Sequence, residues 1–435
     1  MEDKIKVVWI CGFSNLKIRD HLQFEKYTLN ILLRKLFKKN CNVSDYGVWN
    51  TNAIKEFENF NDIELHVISR HKFLSKKVQA FKLNNIYYHF YKPEDESICA
   101  GIRKKIQRNK YYSSYDKNSR IINEIINQIN PDIVHLIGAE NPQYSSSVLQ
   151  LDKKYPLLVS LQTLMADPEF YNNYPISKEI YDYRCRIEAS VLKKATYICT
   201  IGKKFQDIIL NEISSEAKFL KIKLAVGEEI NKCNNQTNKS FDFVYFALNI
   251  NKAADYAIES FAIAHQRHNG ITLNIVGEYD LSYKEKLDKR IKELGIENNV
   301  FFSGKLPLHE DVLMQIQKSK VALLPLKIDI ISGTIREAMA NGIPVVTTIT
   351  PGTPLLNKDR KSVLLSPIGD HNAMANNMIR VLKDEILAKE LIQNSFITVS
   401  ERYDNKKAMS DWFRAYRAIF YNIKDNTPIP NDLLA

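Results

Sequence analysis

Long apolar runs are missing from this chain. The longest, such as Tyr155–Leu161 and Val321–Leu326, fall far short of the ~20 residues that a bilayer-spanning helix requires. Acidic residues are also in deficit: 61 Lys and Arg face 50 Asp and Glu, a formal charge of +11. The six cysteines (Cys11, Cys41, Cys99, Cys185, Cys199 and Cys233) are scattered without a Cys-x-x-Cys pair. Several lie in apolar runs, which reads as reduced packing thiols rather than disulfides or zinc ligands. No internal repeat or low-complexity stretch is evident. No basic-plus-apolar leader precedes the first β run, Ile5–Cys11, so the expected location is the cytoplasm.

What is present describes a globular protein, with 45% hydrophobic and 26% charged residues. At 435 residues the chain exceeds one ordinary core, and two or so domains are expected. Basic residues crowd the first half: Arg34, Lys35, Lys38 and Lys39; Arg70, Lys72, Lys76 and Lys77; then Arg103, Lys104, Lys105, Arg108 and Lys110, followed by Tyr111 and Tyr112. Basic segments interleaved with aromatics suit the anionic inner face of a membrane, at about 1 kcal/mol per charge near the surface. A solvated, lysine-rich surface accounts for the same clusters equally well. No nucleic-acid-binding module is present, so nucleic acid is not an expected partner.

Strand and helix signals alternate along both halves. Lys4–Cys11, Ile63–Ser69, Asp132–Ile137, Leu157–Leu161 and Tyr197–Ile201 read as strands. Thr28–Lys38, Arg120–Ile129 and much of Asn172–Lys194 read as helices, the second stopped by Asn130-Pro131. Residues 227–241 are polar and aperiodic, which places the interdomain linker there. A second series follows: strands Asp242–Ala247, Leu273–Val276 and Val300–Ser303, with helices Ala254–His265, Tyr283–Leu294, Pro367–Lys383 and Ile386–Ser395. The tail, residues 405–423, is an amphipathic helix with Trp412, Phe413, Tyr416, Ile419 and Phe420 on one side. Such alternation implies parallel α/β sheets. The expected domains are therefore 1–226 and 242–404, with the tail helix packing back on the first.

The segment from Asp329 to Val346 is the most informative. Val321–Pro325 is a short β run, Gly333–Asn341 is helical, Gly342 suits a left-handed C-cap, and Pro344–Thr348 resumes as a strand. This is one βαβ step of a parallel sheet, where ligands sit beyond the carboxyl ends of the strands. The helix opens with Ser332, Gly333 and Thr334, small residues that leave backbone N–H groups open to an anion such as a diphosphate. Glu337 follows one turn later, where a carboxylate can accept two hydrogen bonds from a ribose diol.

Asp329-x7-Glu337, continued as Glu-Ala-Met-Ala-Asn-Gly-Ile-Pro-Val-Val, resembles the E-x7-E region of retaining glycosyltransferases of family 4. The resemblance runs through residues 242–400 and includes Leu273-Asn-Ile-Val-Gly277 and Asn299-Val-Phe-Phe-Ser-Gly304. It is weaker in the first half, where Asp132-Ile-Val-His135 resembles a family strand. It implies an α/β GT-B fold, two Rossmann-like parallel-sheet domains facing a central cleft. In the family the second acid binds the nucleotide ribose, a role that falls to Glu337, and the first lies near the donor sugar, a role that falls to Asp329. Thr350-Pro-Gly-Thr-Pro354 resembles the family's Gly-rich turn after the strand, although it lacks one Gly and the acid. Gly352 and Thr353 are the donor-binding candidates there.

The resemblance also implies transfer without a bound metal or other cofactor, and no Asp-x-Asp motif is found. The family's phosphate-clamping Lys matches Lys252, whereas its Arg is replaced by Ala247, which removes a bidentate donor. Lys327 is the candidate for the missing charge. Where many relatives place a His after a strand of the first domain, this chain has Gln162, which can hydrogen-bond a sugar hydroxyl but cannot take a proton. Glu140, in Gly138-Ala-Glu-Asn-Pro142, follows a strand's carboxyl end and could position or deprotonate an acceptor hydroxyl. The expected partners are a nucleotide-sugar donor and a glycan or lipid-linked acceptor, in bacterial surface polysaccharide synthesis. A sugar-nucleotide epimerase of the same fold and a non-catalytic nucleotide-sugar-binding partner stay open as alternatives.

Overall fold

The structure, a computed structural model, describes residues 4–25, 32, 45–58, 60–93, 115–168, 177–199, 202–226, 238–246, 253–277, 281–327, 332–350 and 352–435. The chain divides into two compact units. The first comprises Met1–Asn172, Ile176–Ala225 and Asn405–Ala435, and the second contains Val226–Asp404.

The first unit is built on a sheet of order β3-β4-β2-β1-β5-β6-β7-β8. Its strands are β1 (Ile5–Ile10), β2 (Ile63–Arg70), β3 (Val78–Leu83), β4 (Ile86–Tyr91), β5 (Ile133–Ile137), β6 (Leu157–Ser160), β7 (Tyr197–Cys199) and β8 (Phe219–Leu220). Pairing is parallel throughout except between β3 and β4. The central strands are largely apolar, interrupted by His135 in β5 and Ser160 in β6, and every residue of β5 and β6 is buried, as strands covered on both faces must be. The helices are α1 (Leu16–Arg19), α2 (Val48–Phe57), α3 (Tyr115–Ile129), α4 (Pro142–Ser145), α5 (Lys178–Lys194) and α6 (Lys203–Ile208). In α3 the stripe Ile121, Ile122, Ile125 and Ile126 is buried. Asn130, at φ +48°, and the following Pro131 end that helix.

The β3–β4 hairpin departs from the purely parallel pattern. It adds an antiparallel edge, and its two-residue turn puts Asn84 and Asn85 at φ +48° and +68°. Adjacent left-handed Asn residues between alternating apolar residues are a hairpin signal. It went unread because the alternating helix and strand pattern dominated.

The second unit carries a parallel sheet of order β11-β10-β9-β12-β13-β14. Its strands are β9 (Phe241–Phe246), β10 (Leu273–Val276), β11 (Val300–Gly304), β12 (Ser319–Leu324), β13 (Val345–Thr348) and β14 (Leu364–Ser366). Its helices are α7 (Ala254–Arg267), α8 (Leu281–Glu293), α9 (His309–Ile316), α10 (Gly333–Ala340), α11 (His371–Lys383) and α12 (Glu385–Arg402). No expectation covered α9, whose eight residues are too short for a clear period. The last helix, α13 (Asn405–Asp425), belongs to the first unit. It buries Trp412, Phe413, Tyr416 and Ile419 in the core that also holds Trp9 and Ile133.

In each sheet the chain reverses direction of growth at one strand. In the first unit β1 lies between β2 and β5, and in the second β9 lies between β10 and β12. Loops that leave such strands diverge, and the crevice between them is where α/β sheets bind ligands.

Candidate functional site

The second unit's reversal point lies between the loops that leave β9 and β12. Lys252, Ala247 and Asp329 belong to these loops and lie outside the described residues. Lys327, at the edge of the β12 loop, is described. Its Nζ is 2.9 Å from Asp255 Oδ2, in the first turn of α7, and sits 4.7 Å from the centre of the Tyr256 ring. Its charge is thus neutralised by a carboxylate on the helix that follows the β9 loop. Asp255 Oδ1 is buried without a hydrogen-bond partner, so the pair is one-sided.

Helix α10 begins at this end of the sheet. Ser332 occupies its N-cap in an extended conformation and makes no side-chain cap to the first turn. Its Oγ lies 3.1 Å from Thr334 Oγ1. The first-turn N–H groups of Gly333, Thr334 and Ile335 have no intrahelical acceptor, which is the geometry of an anion site. A small cavity beside this end is lined by Ser332, Arg336, Gly352, Thr353 and Tyr403, so three of the expected donor-binding residues are brought together. Thr353 acts mainly on its own turn: its Oγ1 donates to Thr348 O (2.7 Å) and accepts from Thr350 N (2.8 Å). Gly352, next to it, leaves the turn without a side chain.

Glu337 is half-buried on α10, with Oε1 3.6 Å from His309 Nε2 at the start of α9. At the other end of the helix Gly342 adopts φ +66°, the left-handed cap. Two residues of this region were not singled out in the sequence. His309 belongs to the short helix that left no period. Arg336 is 4% exposed, donates through Nε to Val226 O (2.7 Å) and lies 5.4 Å from the Tyr403 ring centre. An Arg at a buried helix position is a weak signal without its acceptor in view.

In the first unit, Glu140 and Gln162 follow adjacent parallel strands, β5 and β6. Gly138, at φ +86°, turns the chain so that Glu140 folds back over it. A Cβ at 138 would lie 2.9 Å from both Glu140 carboxylate oxygens and from Tyr144 Oη. Asn141 Nδ2 donates to Glu140 Oε1 (3.0 Å), while Oε2 is buried without a partner. Burial pushes the Glu140 carboxyl above its usual range, against the lowering charge of Arg184. Gln162 is half-buried between Leu161 and Leu164, both fully buried.

The loop that carries Gln162 is gripped by one face of α5. Glu188 Oε2 accepts from Met165 N (2.8 Å) and Ala166 N (3.3 Å). Tyr181 Oη and Cys185 Sγ both donate to Met165 O. Tyr181, Cys185 and Glu188 stand at i, i+4 and i+7, one stripe of the helix. In the first loop of the unit, Arg19 is buried and ion-paired to Asp45 at 2.6 Å. Cys11 and Cys199 are buried free thiols and Cys185 a half-buried one. Of the basic clusters, those at 34–39 and 103–112 lie outside the described residues. Among the described helices, none is long and apolar enough to cross a membrane.

Residues 227–397 match the model of the glycosyl transferases group 1 family. Over 133 residues the chain is 29% identical to N-acetyl-alpha-D-glucosaminyl L-malate synthase of Bacillus anthracis, a match covering 31% of this chain and 33% of that protein. The aligned region thus spans about a third of that relative's length. Sucrose-phosphate synthase from Thermosynechococcus elongatus superposes with a TM-score of 0.68 at 16% identity, over 96% of this chain and 99% of that one. HepE of Anabaena, solved in complex with UDP, superposes with a TM-score of 0.60 at 15% identity, over 95% and 100% of the two chains. Residues 227–397 therefore carry the group 1 glycosyl transferase pattern, on a chain whose two parallel-sheet α/β units have the GT-B fold.

Proposed function

We propose that this chain is a retaining glycosyltransferase of family 4 that moves a sugar from a nucleotide-diphosphate sugar to a glycan or lipid-linked acceptor. The observation that carries the reading is the uncapped amino end of α10, with Glu337 one turn along the same helix, inside the segment that matches the family model. In this reading the N–H groups of Gly333 and Thr334, beside Ser332, bind the diphosphate together with Lys252. The backbone of Gly352 and Thr353 borders the same anion. Lys327, paired with Asp255 in the free chain, adds charge on exchanging that carboxylate for the diphosphate. Glu337 accepts from the ribose diol, with His309 beside its other edge, and Asp329 faces the donor sugar.

Helix dipole and lysine charge stabilise the leaving diphosphate, so the reaction is read as metal-independent. The acceptor oxygen bonds to the anomeric carbon on the face from which the diphosphate leaves, and as the carbon–phosphate-oxygen bond breaks the leaving phosphate oxygen takes the acceptor proton, which retains the anomeric configuration. Gln162 hydrogen-bonds a sugar hydroxyl, and Glu140 orients the acceptor hydroxyl. A UDP-bound neighbour and an N-acetylglucosaminyl-named relative support a uridine nucleotide and an N-acetylhexosamine as the first donor to try. Surface polysaccharide synthesis at the anionic inner membrane face is the setting that the basic clusters suit. Ala247, in place of a phosphate-clamping Arg, favours one second reading, a nucleotide-sugar-binding protein without turnover.

The test is a thermal-shift panel of UDP, GDP, ADP and their sugar conjugates on wild type and Glu337→Ala. A nucleotide at 100 times its Kd adds about 2.7 kcal/mol. One nucleotide should raise the wild-type midpoint and lose most of that effect in the variant. If none binds, the reading fails. Binding without transfer to any acceptor selects the second reading.

A further inference from the structure

Helix α10 is held on its inner side by apolar packing. Ile335, Ala338 and Met339 share a core with Val399, and Tyr403 packs against it. Arg336 breaks that pattern, a charged side chain buried on the same helix. Burying a charge is unfavourable unless its surroundings compensate, so the groups around the guanidinium carry information.

Nε donates to Val226 O at 2.7 Å, and the guanidinium lies 5.4 Å from the centre of the Tyr403 ring. Nη2 folds back toward the amino end of the helix, where a Cβ on Gly333 would stand 3.8 Å from it. The backbone N–H of Arg336 donates to Ser332 O at 3.2 Å and closes the first turn. Arg336 is therefore built into the turn whose leading N–H groups lack an intrahelical acceptor. Its side chain lines the small cavity there with Ser332, Gly352 and Thr353.

Val226 and Tyr403 stand at the two ends of the second unit, which the chain enters at Val226 and leaves after Asp404. One side chain thus ties the first turn of α10 to both ends. Arg suits this duty and Lys does not, because a planar fork can donate from Nε, face a ring and still present its outer nitrogens elsewhere. The charge also runs against the usual preference, since a cation is unfavourable beside the positive end of a helix dipole. An anion at the open N–H groups relieves that repulsion, so the arrangement favours the occupied turn over the empty one.

We propose that Arg336 is a positioning residue for the donor's diphosphate: anchored on Val226 O and the Tyr403 ring, it holds the first turn of α10 in its binding geometry and couples occupancy of that turn to both ends of the unit. This rests on the transferase reading above and deepens it. The chain has Ala247 where a phosphate-clamping Arg is expected, and Arg336 sets a guanidinium behind the same anion from another element. The coupling is reciprocal. An anion that orders the turn also orders Val226 and Tyr403, and loosening either of them weakens the anion.

The test measures binding of UDP, inorganic pyrophosphate and uridine by calorimetry on the full chain, as wild type, Arg336→Met, Arg336→Lys and Tyr403→Leu. UDP and pyrophosphate should each bind about tenfold more weakly to Arg336→Met. Uridine, which uses Glu337 but not the first turn, should change little. Arg336→Lys keeps the charge without the fork and should still lose affinity, and Tyr403→Leu should shift in the same direction by a smaller factor. Hydrogen exchange in residues 222–226 and 400–404 should slow when UDP is added to wild type and not when it is added to Arg336→Met. The inference is overturned if Arg336→Met binds UDP as wild type does, or if uridine weakens as much as UDP, the mark of general loosening. Should Arg336→Met fail to fold, Arg336→Lys is judged by the same two criteria. A wild type that binds neither nucleotide nor pyrophosphate overturns the transferase reading and this inference together, an outcome distinct from unchanged binding in the variant.

Discussion

Gly138 shows how a single residue sets the geometry of the first unit's site. Its φ of +86° is a backbone conformation that side chains oppose, and the space above it is already filled by the Glu140 carboxylate and the Tyr144 hydroxyl. Gly138→Ala is therefore expected to cost about 1–3 kcal/mol and to push Glu140 off the strand end. Chemical denaturation measures the first effect. The second should appear as a lost acid limb in the transfer rate, whereas a change confined to stability would show that Glu140's position is unimportant. At this scale the sequence was readable where a residue acts through its own backbone, as at Gly342 and Ser332. It was mute where a residue acts through a distant partner. Glu188 reads as an ordinary acid on a polar helix, and only the fold shows Met165 and Ala166 donating to it.

Among the elements, α13 illustrates a long-range tie. Its amphipathic stripe was evident from sequence, but the polar contacts at its buried face were not. Tyr416 Oη accepts from Trp9 Nε1 (2.8 Å) and lies 2.6 Å from His135 Nδ1, whose Nε2 lies 2.8 Å from Ser160 Oγ. Trp412 Nε1 donates to Lys223 O at 2.7 Å. A polar chain thus runs from β1 through the helix to β5 and β6, in the middle of an apolar core. Tyr416→Phe deletes the hub and leaves a buried indole N–H and an imidazole nitrogen unsatisfied, an expected loss of about 1–3 kcal/mol. Urea unfolding followed by tryptophan fluorescence would measure it, and a loss under a few tenths would mean that the network is idle. The short elements, α9 and the β3–β4 hairpin, escaped sequence reading because eight residues or a two-residue turn carry little periodic information.

For the molecule as a whole, the buried histidines dictate its response to acid. Burial lowers His135 to about 3 and His71 and His89 to about 4, and it lowers His66 as well. Each is neutral in the folded chain at pH 7, whereas the unfolded chain protonates them near the ordinary value of 6.5. Their contribution is therefore present above that value and is lost as pH falls toward the folded values. Glu140 and Glu188 act in the opposite sense, since their raised carboxyls bind protons in the folded state first. The histidines outnumber them, so stability should fall from pH 7 to pH 5. A midpoint that stays level over this interval would contradict the assignment.

What the sequence determined by itself was everything that local chemistry carries. The alternation of apolar strands and amphipathic helices specified two α/β sheets. The order Ser332-Gly333-Thr334, Glu337, Gly342 specified a helix with an open amino end, an acid one turn in and a left-handed stop, because caps and periods depend only on neighbours along the chain. The tertiary structure decided what depends on neighbours in space. It set Lys327 on Asp255, buried Arg336 against Val226 O, and placed His309 beside Glu337. It also gripped the Gln162 loop from α5. Such pairings answer to burial, which strips a polar group of water and obliges it to take whichever partner the fold brings within reach.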